Sequence, residues 1–118
     1  MSCLFQSLGY FLTDTNPERL REEICNYLSS NPKLIEDLSL EDLTNLEGTN
    51  SKEYLSEMRK NSTWGGAIEI KAFCEIFNIN VEVTILKDGK NVTFLSSKQP
   101  SLGVVKISWT GNHFEPII

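Results

Sequence analysis

The chain is poor in histidine, cysteine and positive charge, and each shortage narrows what it can do. One histidine and three scattered cysteines, Cys3, Cys25 and Cys74, provide neither the close pairs of a zinc site nor the density of a secreted disulfide scaffold. A reducing compartment is expected, with no metal or organic cofactor. Lys and Arg number 11 against 16 Asp and Glu, for a formal charge of -5. That balance lacks the clustered base a phosphate backbone needs, so nucleic acid is not an expected partner and a basic surface is a better one. No apolar run approaches the roughly 20 residues of a membrane span, and the N-terminus has no basic segment followed by a small-residue cleavage site. Repeats, low-complexity tracts and internal linkers are absent as well, so residues 1–118 are expected to form one soluble domain.

What is present begins at the first residues. Ser2-Cys3 runs straight into an apolar segment in which Phe5, Leu8 and Leu12 recur at helical spacing. The spacing predicts a helix pinned into the core with its first turn at the surface. A cysteine at such a start faces unpaired amide N–H groups and a partial positive charge, which favour a thiolate and could hold an oxyanion. Cys3 is therefore a candidate nucleophile for acyl chemistry.

Further along, Thr15 or Asn16 caps a helix with Pro17 at its first position and Leu20, Ile24, Tyr27 and Leu28 as its stripe, ended by Asn31-Pro32. Cys25, beside that stripe, reads as a packing residue. Ser39 caps a short helix through Leu46, and Ser51 caps another over 52–60 with Tyr54, Leu55 and Met58 inward. After a loop over 61–66, residues 67–77 carry Ile68, Ala72, Phe73, Ile76 and Phe77, the strongest helical stripe in the chain, with Phe73 and Ile76 expected in the core and Cys74 structural. The period then changes to alternation. Val81, Val83 and Ile85 mark one strand, 87–90 a hairpin turn, Val92 and Phe94 a second, 104–109 a third and 113–117 a fourth. Helices first and a meander of strands last define an α+β chain, with N-terminal helices packed on a C-terminal antiparallel sheet.

The only histidine, His113, opens the last strand after a Gly-Asn turn, a place that exposes a side chain at a sheet end. Cysteine near one terminus and histidine near the other is the separation expected of a nucleophile and base joined by folding. Glu115, two residues on, shares the strand face of His113 and could orient the imidazole, or it could be a solvated edge carboxylate.

Three blocks, Ser2-Cys3-Leu4-Phe5-Gln6-Ser7-Leu8, Tyr54 to Arg59 with Trp64-Gly65-Gly66-Ala67-Ile68-Glu69-Ile70-Lys71-Ala72, and Asn112-His113-Phe114-Glu115, resemble the ovarian tumour (OTU) family of cysteine deubiquitinases, in the family's order. The resemblance is to the compact viral or bacterial type. It implies a papain-like thiol protease that cuts after the C-terminal Gly of ubiquitin, polyubiquitin or a ubiquitin-like modifier, acting as a monomer in the cytoplasm, the host's for a viral or bacterial protein. Cys3 would be the nucleophile, His113 the base and Glu115 the orienting residue, with Ser2, Trp64, Gly65, Gly66 and Asn112 binding substrate. This sequence departs from the family in lacking an Asp-Gly segment before the cysteine and in having Glu where Asp or Asn is usual after the histidine. Those departures leave a second expectation, an inactive ubiquitin-binding or structural module of a larger polyprotein.

Overall fold

A computed structural model describes residues 3–35 and 38–117. Its elements run α1 (Cys3–Gly9), α2 (Pro17–Ser29), β1 (Lys33–Ile35), β2 (Leu38–Ser39), α3 (Leu40–Leu46), α4 (Ser51–Met58), α5 (Ala67–Phe77), β3 (Asn80–Ile85), β4 (Lys90–Phe94), β5 (Val104–Trp109) and β6 (Phe114–Pro116). The α+β class predicted from hydrophobic period is the class observed, with five helices before the four strands of the main sheet and a short strand pair, β1 and β2, between α2 and α3.

Local chemistry explains most of the boundaries. Asn16 caps α2 by accepting from the Arg19 amide, and Pro17 at the first helical position has no N–H to leave unpaired. Ser39 and Asp42 form a reciprocal capping box on α3. On α4 the cap is Asn50, one residue earlier than expected, because its side-chain oxygen accepts from the Glu53 amide at 2.9 Å. Asn78 ends α5 in the left-handed region at φ 53°.

The main sheet has the order β4-β3-β5-β6, and here the all-antiparallel expectation is corrected. Strand β3 pairs antiparallel with β4 but parallel with β5, in the register Val81↔Val105, Val83↔Ile107, Ile85↔Trp109. The reason is the connection over 95–103. After the β3–β4 hairpin the chain is back at the start of β3, and the loop carries it past that end, so β5 begins beside Asn80 and runs the same way as β3. Alternation shows which face a side chain takes, whichever neighbour the strand has. Strands β1 and β2 form a separate antiparallel pair that the sequence pattern did not suggest.

Helix α5 lies between α2 and the sheet, so burial runs around it rather than along one stripe. Phe73 and Ala72 are fully buried as expected, but so are Cys74, Ile70 and Glu69, while Ile76 is only half-buried against the core edge. The Cys74 thiol faces the sheet, donating to the Phe94 carbonyl at 3.5 Å. Glu69 meets the opposite side, at Tyr54 of α4. No helix of the described residues is long and apolar enough to cross a membrane.

Candidate active site

Helix α1 is short and held hard. Leu4, Phe5 and Leu8 are at most 1% exposed, and the buried Ser7 hydroxyl donates to the Cys3 carbonyl at 2.8 Å, locking the first turn. Cys3 is the first described residue of this helix and is half-buried, so the thiol position keeps contact with solvent while its neighbours anchor it. The other two cysteines differ. Cys25 and Cys74 are fully buried, and burial pushes each thiol up to about 11.

α1 packs against β6, which brings the helix that begins at Cys3 beside the strand entered through His113. The turn before that strand is tight. Thr110 N–H donates to the His113 carbonyl at 3.0 Å, and Gly111 sits at φ 111°, where a side chain would be strained. Asn112, in this turn, is exposed and its side-chain oxygen accepts from the Thr110 hydroxyl at 3.1 Å. Phe114 points inward and stacks on Trp109 with centroids 4.5 Å apart, so His113 and Glu115 share the opposite face. The His113 Nε2 to Glu115 Oε1 distance is 3.5 Å, an ion-pair approach with both side chains about half exposed or more. That contact leaves Nδ1 as the ring nitrogen available for another partner.

The glycine pair lies where the cysteine helix and the sheet meet. A methyl group at Gly65 would fall 2.6 Å from Leu4 Cδ2 and 3.2 Å from the Phe5 ring, so the segment touches the residues that follow Cys3. Gly65 and Gly66 also wall an apolar cavity of about 280 Å³ floored by Val83, Ile85, Val92 and Trp109. Trp64 is 45% exposed at the rim of a neighbouring hollow rather than a core aromatic. Ser2 lies outside the described residues.

Sequence reasoning missed the charged groups beneath this surface. Arg21 and Glu69 are each 1% exposed. Arg21 lies 4.3 Å over the Phe5 ring and donates to the Met58 carbonyl at 2.8 Å. Glu69 accepts from Gly66 N–H at 2.7 Å and from the Tyr54 hydroxyl at 2.5 Å. Burial pushes the Glu69 carboxyl up, opposed by the Tyr54 and Gly66 hydrogen bonds and the Arg21 charge, while burial and then the Glu69 charge push the Tyr54 phenol up. The available signal was the spacing of Gly66 and Glu69 at a helix start, half of a capping box.

The family model for OTU-like cysteine proteases matches residues 2–111, taking in Cys3 and the glycine pair and stopping two residues before His113. The chain belongs to the OTU-like cysteine protease family. Among its relatives, an otu1 protein of Schizosaccharomyces pombe is 31% identical over 115 residues, covering 97% of this chain and 32% of its own length. The ubiquitin thioesterase Otu1 of Drosophila melanogaster is 26% identical over 120 residues, covering 98% of this chain and 32% of its own. This chain thus spans about a third of the length of these two relatives. Of the solved structures, an OTU domain in complex with ubiquitin superposes with a TM-score of 0.78 at 22% identity, over 98% of this chain and 62% of that one. An OTU deubiquitinase from Wolbachia pipientis wMel bound to ubiquitin gives 0.65 at 20% identity, over 99% and 89%. These likenesses establish the papain-like OTU fold for a chain whose sequence has diverged widely from those solved.

Proposed function

We propose that this chain is a deubiquitinase, a thiol protease that hydrolyses the bond after the C-terminal Gly of ubiquitin or a ubiquitin-like modifier. The observation that carries the reading is the packing of the Cys3 helix against the strand entered through His113, in a chain of this family. The names of the curated relatives, ubiquitin thioesterases, support the substrate class.

In this reading the Cys3 thiolate attacks the carbonyl carbon of the terminal Gly. The amides of the first turn take up the oxyanion, and protonated His113 delivers its proton to the leaving lysine amine as the C–N bond breaks. Water, deprotonated by His113, then attacks the thioester; the C–S bond breaks, leaving a free carboxylate and restoring the thiol. Glu115 holds Nε2, so that Nδ1 faces the thiol and the imidazolium is stabilised. A Gly-Gly tail suits a segment of two glycines, since neither partner has side chains to exclude the other. The exposed Trp64 beside that segment and the exposed Asn112 of the turn before His113 are the further substrate contacts in this reading. The reading extends to a monomeric catalytic domain in a reducing cytoplasm, where the thiols stay free.

The test is turnover of a fluorogenic ubiquitin C-terminal substrate. Cys3→Ala and His113→Ala are expected to abolish it while melting as the wild type does. Full turnover in Cys3→Ala ends the protease reading, and binding of ubiquitin without turnover in the wild type points to an inactive module.

A further inference from the structure

A buried carboxylate is expensive unless its oxygens are occupied and a positive charge is near. Glu69 meets both conditions in a way that reaches the cysteine helix. One oxygen accepts the Gly66 amide and the other the Tyr54 hydroxyl, at 2.7 and 2.5 Å. Gly65, one residue before the bonded amide, is seated on Leu4 and Phe5. Phe5 in turn lies under the Arg21 guanidinium, which is tied to α4 through the Met58 carbonyl and contributes positive charge near Glu69. A path of contacts therefore runs from the Glu69 carboxylate through the Gly66 amide and Gly65 to the two residues that follow Cys3.

We propose that Glu69 is a positioning residue of the cleavage site, its carboxylate fixing the Gly66 amide and thereby the spacing between the glycine segment and Cys3. Tyr54 supports it by occupying the second oxygen, and Arg21 by clamping Phe5. The inference rests on the deubiquitinase reading and assigns a role that a helix cap alone would not have. A cap needs only an acceptor for the amide. This one is buried and shared with a second helix.

The test compares Glu69→Gln, Glu69→Asp and Tyr54→Phe, with Cys3→Ala as reference, on the fluorogenic ubiquitin C-terminal substrate. KM and kcat are measured separately, and Cys3 alkylation by iodoacetamide is followed in parallel. Glu69→Gln keeps an oxygen for Gly66 but turns an amide group, a donor in place of an acceptor, toward the Tyr54 hydroxyl. It is expected to raise KM about tenfold, because a misplaced binding segment costs affinity for the bound tail, with alkylation of Cys3 within about twofold of wild type. Glu69→Asp, too short by one methylene to reach both partners, is expected to fall on the same side. A purely structural carboxylate would lower the folded fraction and leave KM alone. Should Glu69→Gln fail to fold, Tyr54→Phe removes a single hydrogen bond and is expected to raise KM about threefold. An inactive Cys3→Ala together with wild-type KM in the folded Glu69 and Tyr54 variants overturns the positioning role alone. Full turnover in Cys3→Ala overturns the cleavage reading and the positioning role with it.

Discussion

Adding one methyl group at Gly65 is the smallest perturbation that reaches the cysteine helix. The new Cβ would lie 2.6 Å from Leu4 Cδ2 and 3.2 Å from two atoms of the Phe5 ring. Carbon atoms rest at about 3.5–4.0 Å, so one side must yield by roughly an ångström. A flexible leucine tip could swing away at the surface, but Leu4 is 1% exposed and Phe5 fully buried beneath Arg21, so neither has free space to take. Overpacking of this kind costs about 1–3 kcal/mol, a fall in melting temperature of roughly 5–15 °C for a chain of this size. Relief that moves α1 also moves Cys3, and a displacement of about 1 Å at a reacting group costs on the order of a hundredfold in rate. Gly65→Ala is therefore expected to melt lower and to turn over the ubiquitin substrate about a hundredfold more slowly per folded molecule. Thermal melting and kcat/KM at a temperature where the variant is fully folded measure the two effects. Wild-type values for both would refute the close seat of Gly65, and a lower melting point with wild-type turnover would refute its link to Cys3.

Phe73→Ala, which empties a fully buried ring site stacked on Phe77, should cost about 3–5 kcal/mol in urea unfolding, and an unmoved midpoint would contradict its place in the core. Ile76→Ala should cost clearly less, since Ile76 is only half-buried. Glu115→Gln should lower turnover about tenfold with recovery in Glu115→Asp, because in the proposed mechanism the carboxylate acts on His113 through an exposed 3.5 Å contact that solvent weakens; equal rates across pH would remove Glu115 from the site. The folded protein holds the Cys25 and Cys74 thiols up at about 11, above their values in the unfolded chain, so both stay protonated when the unfolded chain begins to lose those protons. Their contribution is whole below about pH 8.5 and drains away as pH rises toward 11. Unfolding midpoints in a Cys25→Ala, Cys74→Ala chain should show a shallower alkaline decline than wild type, and an identical decline would contradict the assignment.

The parts of this fold that could be read in advance are those with a period. Residues 67–77 and 104–109 coincide with α5 and β5 because helical recurrence and alternation persist over whole elements there. Strands β1 and β2, of three and two residues, are too short to show a period. The parallel pairing of β3 and β5 was hidden because alternation is the same whichever strand lies alongside. At the candidate site, Cys3 and His113 stood out as reactive side chains at element ends, and the glycine pair entered only through the family resemblance. Arg21 and Glu69 were not, since a charged residue on a helix normally faces water, and only the tertiary arrangement shows that each has partners inside. Trp64, a large aromatic, stands half in solvent.

The central claim is that Cys3 is the nucleophile toward the ubiquitin C-terminus, and the measurement that tests it most directly is mass mapping after reaction with a ubiquitin carrying a C-terminal electrophile. The account predicts one adduct per chain, on Cys3, lost in Cys3→Ala and formed far more slowly in His113→Ala. Cys25 and Cys74 should stay unmodified in the folded protein, since both are buried and their thiols are held protonated. An adduct on either of them, or none on Cys3 in a protein that binds ubiquitin, would contradict it.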